Sequence, residues 1–561
     1  MDKLKVFANK IKKSFFILFI IVSSFFFLNF SDNLFEVSKN LEIFHSIIKE
    51  LNINYVDQIE PGKIISNAID GMLESLDPYT NYIQESDVED YKFMTTGQYG
   101  GIGAMIFSKE GLPVISEVYL NTPANKNDLQ PGDVILEIDG KSTKEKDPSD
   151  ISSILRGQVG TNVKILVKRE TINKTFELNI KREEIKLDNI PYYGLIDDNI
   201  GYIKLNSFTQ NATNEVRDAL NALKSSYNIK SLIFDLRDNG GGLLHESVFI
   251  ANLFVEKDKL IVSTKGKNQS KNQVYTTPNN PIEQNMPVVF LVNRRSASAS
   301  EVLSGSMQDL DRAVIIGERT FGKGLVQNIV PLDYNSQLKV TIAKYYIPSG
   351  RCIQAIDYSN RNEDGSVGKI PDSLVTAYKT KNGRVVYDGG GITPDIVLKP
   401  VNISKISTSL ILKRLIFDYA TLFKSKNSSI KEINQFEIGD VIYDDFIAFL
   451  DGKDYDYVTD SETNLEELKK AAEEEKYFDK IQKDYEVLYD KIKHNKEADL
   501  HNFKEEIKDL LKEEIASRYY FQKGRIQISL LNDPYVKKAI PILKNTKTYE
   551  DILTGKYKED K

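Results

Sequence analysis

The chain has 561 residues, 41% hydrophobic and 28% charged, a globular composition in a length that calls for three or four domains. Its net charge of −7 argues against nucleic acid as the main partner, and no zinc-finger spacing occurs.

Lys3, Lys5, Lys10, Lys12 and Lys13 precede an apolar run of 17 residues, Ser14 to Phe30, which is the short limit for a membrane span. Residues 1–34 are therefore expected to be a signal or membrane anchor with the lysines cytoplasmic. No small-residue cleavage site is evident near Phe27–Phe30, which favours an uncleaved anchor, and no cysteine is nearby to make a lipoprotein. The rest of the chain is expected on the periplasmic side of the cell envelope. The only cysteine, Cys352, cannot form an internal disulfide, and with no histidine nearby it reads as a structural thiol.

Residues 35–95 are predicted to be helical. Leu41, Phe44, Ile47, Ile48 and Leu51 recur at helical spacing, Pro61 opens a second helix, and Asp77-Pro78 closes the region. This is read as a packing or dimerisation bundle without chemistry. Residues 96–183 are predicted as short strands and turns. Gly100-Gly101-Ile102-Gly103 joins a glycine turn to a strand, and Pro131-Gly132-Asp133-Val134-Ile135-Leu136-Glu137-Ile138-Asp139-Gly140 resembles the signature of a PDZ domain. Backbone N–H groups of such a turn form an anion nest, and the adjoining strand edge pairs with an extended peptide.

Residues 184–400 alternate strands and helices as an α/β core does. Ser231-Leu-Ile-Phe-Asp235 is predicted as a buried strand running into Gly240-Gly241-Gly242, where backbone N–H groups could form an oxyanion hole. Two further segments carry the chemistry. Ser298 lies in a serine-alanine run, Ser296-Ala-Ser-Ala-Ser-Glu301, and Lys323 lies in Thr320-Phe-Gly-Lys-Gly324. A serine hydroxyl needs a base, and lysine serves only when neutral in a desolvated site. Composition alone does not choose among Ser296, Ser298 and Ser300. Gly317 to Gly324 also approaches a phosphate-binding loop, but Gly324 stands where Ser or Thr must ligate magnesium, and the sequence after it reads as extended rather than helical. Of four histidines, His245 is the one rival base, although Gly-Leu-Leu-His reads as a helix start. Residues 401–561 are predicted to be helical and highly charged, with solvated faces and no chemistry.

Taken together, Leu76-Asp-Pro-Tyr-Thr80, the PDZ-like segment, Asp235-Leu-Arg-Asp-Asn-Gly-Gly-Gly242, the Ser298 and Lys323 segments, Tyr346-Ile-Pro-Ser-Gly-Arg351 and Gly390-Gly-Ile-Thr-Pro-Asp395 resemble, in order, those of the carboxy-terminal processing peptidases, or tail-specific proteases. The resemblance covers roughly residues 36–400. It implies a multidomain α/β protein with a crotonase/Clp-like peptidase core, a PDZ domain and helical terminal regions. It also implies a Ser-Lys endopeptidase for protein or peptide substrates with free C-termini, working without metal or organic cofactor. Carried over, Ser298 is the nucleophile, Lys323 the base and Gln327 its orienting residue. Ala299 with one of Gly240, Gly241 and Gly242 forms the oxyanion hole. Gly100, Gly101, Ile102, Gly103 and Arg156 belong to the peptide-binding PDZ site, and Asp309 matches a position implicated in some members. The resemblance allows an envelope adaptor protein and a homo-oligomer. A catalytically silent PDZ scaffold is the alternative; a crotonase-type acyl-CoA enzyme conflicts with export.

Overall fold

The computed structural model describes residues 35–361, 366–492 and 496–558; the expected anchor, residues 1–34, lies outside them. Among the described residues no helix is long and apolar enough to cross a membrane. The chain divides into two units, Met1–Tyr82 and Ile83–Lys561.

The first unit holds a helix over 35–54 and a second, Pro61–Glu74, which proline opens at its first turn. Asp77 ends this region as an Asx turn, its carboxylate accepting from Tyr79 N, Thr80 N and Thr80 Oγ1 at 2.8, 2.9 and 3.0 Å. The helix over 35–54 exposes Leu41, Phe44 and Ile47.

In the second unit, a helix over Val88–Thr96 precedes a small β domain, one residue beyond the expected helical region. Its main sheet runs Ala104–Lys109, Leu112–Val118, Val134–Ile138, Asn162–Arg169, Lys174–Lys181, all antiparallel. The helix Pro148–Leu155, capped by Asp147, packs Ile151 and Leu155 onto Ile115, Ile135, Val163 and Ile165. The alternation of buried and exposed residues along Asn162–Arg169 follows from the two-residue period of a half-buried strand.

The α/β region is built on a six-stranded sheet in the order Tyr192–Asp197, Ile200–Lys204, Ser231–Asp235, Val288–Val292, Val314–Gly317, Ile396–Val397. The first pair is antiparallel and the others parallel. Its central strands read as continuous apolar runs because both faces are covered. Leu232, Phe234, Val288 and Phe290 face the helices Ala212–Tyr227, Leu244–Asn252 and Ala299–Asp309. The alternate residues Ile233, Val289, Leu291, Val314 and Ile316 face Tyr535, Val536, Ala539, Ile542 and Tyr549. These come from the last two helices, Pro534–Lys544 and Thr546–Leu553. The end of the chain is thus one of the three layers of the α/β core.

The intervening helices, from Lys405–Leu412 to Lys504–Ser529, form their own core around Leu410, Tyr419, Tyr443, Phe446, Leu511 and Ile515. They also clamp the small β domain. Phe107 meets Phe417 edge to face at 5.2 Å, Arg414 covers the Phe107 ring at 4.4 Å, and Lys109 pairs with Asp418 at 2.7 Å. If the final helices complete the core, Ile542→Ala will lower the unfolding free energy of the whole α/β region by about 2–5 kcal/mol in denaturant titration. A merely appended tail would leave that transition where it is.

Candidate active site

Ser298 ends the connection from strand Val288–Val292 and immediately precedes the helix Ala299–Asp309. Its backbone has φ 57° and ψ −115°, a conformation that costs a non-glycine residue roughly 1–3 kcal/mol and persists only where its surroundings over-determine it. Such a strand-to-helix turn presents a hydroxyl outward at the positive end of a helix dipole. Ser298 is the N-cap of that helix and forms a capping box with Glu301. Its flanking serines are engaged elsewhere: Ser296 Oγ donates to Leu236 O at 2.8 Å and Ser300 Oγ to Asn239 O at 2.9 Å, both fully buried. Of the alternating serines, Ser298 is the one that lines the cleft.

The turn is held by Glu301, fully buried. One carboxylate oxygen accepts from Ser298 N at 2.9 Å and Lys323 N at 2.8 Å; the other accepts from Gly322 N and Thr320 Oγ1, each at 2.6 Å. One side chain therefore ties the backbone of the serine to the backbone of the lysine. Burial pushes the Glu301 carboxyl above its ordinary value, and these four donors pull it back. The signal in the sequence is the Ser-x-x-Glu spacing of a capping box.

Lys323 is partly buried, and a strand, Leu325–Pro331, follows it. That is the extended continuation expected, and it is unlike the helix of a phosphate-binding loop. The strand is bulged between Val326 and Gln327, so that consecutive residues both reach the cleft. Gln327 Nε2 donates to Thr341 Oγ1 at 3.2 Å.

Opposite lies the glycine loop. Arg237, three residues before it, pairs with the fully buried Asp235 at 2.6 Å and with Asp533, the N-cap of helix Pro534–Lys544, at 2.6 Å. Burial pushes Asp235 up, but the Arg237 and Lys204 charges more than reverse this and hold it well below the usual carboxylate range. Asn239, also fully buried, shapes the loop: its Nδ2 donates to Leu205 O, its Oδ1 accepts Gly241 N, and its carbonyl accepts Ala297 N, at 2.8, 2.8 and 3.0 Å. Gly241 N–H is thus committed within the loop. Gly241 has φ +102°, and a Cβ there would lie 2.7 Å from Ala297 O and 2.9 Å from Ser298 Cβ. The glycine permits the loop to touch the Ser298 turn.

Ser298, Lys323, Gln327 and Gly240–Gly242 line one cavity of about 1000 Å³. Tyr345, not singled out from the sequence, joins them there. Burial pushes its phenol up, a hydrogen bond with Ser298 draws it part of the way back, and the balance lies at about 12. Nothing in the alternation of strand Gln337–Tyr346 distinguished it from a core tyrosine. Asp309 is not in the cleft. It ends the helix that Ser298 begins, about 15 Å along the axis, where it pairs with the buried Arg351 at 2.8 Å and accepts Ser349 N at 2.9 Å. His245 is half exposed against Phe249 and does not line the cavity.

A second cavity, about 320 Å³, lies between the start of strand Ala104–Lys109 and helix Pro148–Leu155. Ile102, Gly103 and Arg156 line it, with Arg156 held over the rings of Phe93 and Tyr99 at 5.2 Å from each. Gly100 and Gly101 do not. They pair with Glu184 and Glu183 in a separate ribbon, where a Cβ on Gly100 would fall 2.1 Å from Gly157 O. Phe93 and Tyr119 line both cavities.

Three parts of the chain match known families. Residues 199–360 match peptidase family S41, residues 114–169 a PDZ domain, and residues 406–543 the C-terminal helical domain described for a probable PDZ-protease. The carboxy-terminal-processing protease of Bartonella bacilliformis is 35% identical over 321 residues, 57% of this chain and 73% of that protein. The carboxy-terminal processing protease CtpA of Bacillus subtilis is 32% identical over 306 residues, 54% of this chain and 65% of that one. Among solved structures, a photosystem II D1 C-terminal processing protease is 26% identical with a TM-score of 0.36, covering 64% of this chain and 92% of its own. The chain belongs to the carboxy-terminal-processing proteases, serine peptidases of family S41 that carry a PDZ domain.

The packing of the glycine loop on the Ser298 turn gives a contrast. Gly241→Ala is expected to lower the thermal midpoint and cut peptidase activity by roughly 100-fold through displacement of Ser298. Gly240→Ala, whose Cβ would meet nothing within 4 Å, is expected to keep the parental midpoint. Equal midpoints for the two variants would contradict the contact.

Proposed function

We propose that this chain is an exported endopeptidase that captures the free C-terminus of a substrate protein in its PDZ groove and cleaves the tethered chain with a Ser298–Lys323 dyad. The observation that carries this reading is the meeting of Ser298, Lys323, Gln327 and the glycine loop in one cavity, which shares Phe93 and Tyr119 with the groove. A segment leaving the groove would reach the serine at high effective concentration.

In this mechanism neutral Lys323 takes the proton from Ser298 Oγ as the oxygen attacks the peptide carbonyl. Gln327 orients the lysine. The oxyanion is received by Ala299 N–H, at the start of the helix, together with Gly240 or Gly242 N–H, since Gly241 N–H is held by Asn239. The lysine then gives its proton to the leaving amine. A water, deprotonated by the same lysine, attacks the acyl carbon, and the serine leaves with a proton. In the groove, the C-terminal carboxylate would accept backbone N–H groups near Gly103, with Arg156 beside it. The proposal includes a crotonase/Clp-like ancestry of the core and placement on the periplasmic side of the membrane by residues 1–34. It also allows an adaptor protein, or a second copy at the apolar helix over 35–54.

The test uses the full chain and an unfolded protein with an apolar C-terminus. Ser298→Ala and Lys323→Ala are each expected to reduce cleavage on the order of 10⁴-fold or more while melting as the parent does. Amidating the substrate tail should slow the parent through KM. Parental cleavage by Ser298→Ala would refute the dyad; indifference to amidation would refute tail capture.

A further inference from the structure

Helix Lys504–Ser529 is broken. Phe521 has φ 55° and ψ −157°, a region essentially reserved for glycine. No proline causes the break. It is fixed from both sides by tertiary contacts. N-terminal to it, Arg518, held by Glu514 one turn earlier at 2.7 Å, covers the Phe417 ring at 4.5 Å. C-terminal to it, Arg525 reaches Glu514 at 3.1 Å and Glu117 of strand Leu112–Val118 at 3.4 Å. Gly524 completes the device, since a Cβ there would lie 2.4 Å from Tyr520 Cβ.

The break opens onto the catalytic cavity. Tyr520, Phe521, Gln522 and Lys523 line the same space as Ser298 and Lys323. Within that space Tyr520, Leu120 and Met94 are exposed by 37%, 57% and 65%. A helix bent only to change direction has no need to present strained aromatic backbone to this cleft. Exposed apolar side chains gathered around reacting groups mark a surface that something apolar covers.

We propose that the break at Tyr520–Lys523 is a specificity-determining wall of the substrate cleft, taking a bulky apolar side chain of the extended substrate segment next to the bond that is cut. The helical domain would thus help choose the cleavage site, while the PDZ groove chooses the tail. This rests on the peptidase reading of the same cavity.

The experiment compares the full-length parent with Phe521→Ala, Tyr520→Ala and the milder Phe521→Leu, each checked for a parental melting transition. Cleaved bonds in an unfolded protein are mapped by mass spectrometry, and kcat/KM is measured on two peptides that differ only by Phe or Ala beside the scissile bond. An apolar pocket discriminates by about 10–200-fold, so the Phe-over-Ala preference should fall roughly tenfold in Phe521→Ala, carried by KM. The fall should be smaller in Phe521→Leu, and the map should broaden. A folded Phe521→Ala or Phe521→Leu protein with the parental map and preference would overturn the proposal. Ser298→Ala, run alongside, separates the two ideas: if it cleaves as the parent does, the dyad reading fails, whereas an inert Ser298→Ala with unchanged Phe521 variants places the failure here.

Discussion

The buried carboxylate of Glu301 is the constraint on which the site depends. The proposed Ser298–Lys323 dyad needs two side chains from separate segments held within hydrogen-bond reach, and a side-chain contact alone is a weak tether. Here the tether is between backbones. Four donors from the Ser298 turn and the Thr320–Lys323 loop converge on one side chain. The strained φ of Ser298 is sustained because its N–H is fixed from below by Glu301 and its Cβ faces Gly241. Relaxing the turn would strand buried N–H groups, each costing about 1–3 kcal/mol.

Around that point the domains converge through a few specific pairs. Asp533 and Tyr535 hold Arg237, which fixes the strand end that delivers the glycine loop. The same final helices cover one face of the catalytic sheet. Phe417 and Asp418 hold the small β domain, and Arg525 meets it at Glu117. The charged C-terminal region is therefore structural for the peptidase core rather than a solvated appendage, and its broken helix borders the cleft.

Much of this was legible in the residues. Continuous apolar runs such as Val288–Val292 announced strands covered on both faces, and the flanking glycines and serines marked the segments that meet in the cavity. What escaped was long-range. Helical periodicity in Pro534–Leu553 shows that one face is buried but not what buries it, so the third layer went unseen. Glu301 carried a local capping signal, yet its bonds to Thr320, Gly322 and Lys323 depend on a fold the spacing does not encode. Phe521 sits where propensity predicts unbroken helix, because tertiary contacts override it. Asp309 and Gly100–Gly101 show the converse: residues picked out by family pattern stand outside the cleft and groove, held by Arg351 and by a strand pairing.

The most direct test is the rate at which a fluorophosphonate labels Ser298 in Glu301→Gln, measured on protein that retains the parental secondary structure. If Glu301 sets the geometry of serine and lysine together, labelling should fall by roughly 100-fold, since displacements of about 1 Å at a reacting centre cost that much. Labelling at the parental rate would contradict the account, because the serine would then be activated without the carboxylate that joins it to the lysine.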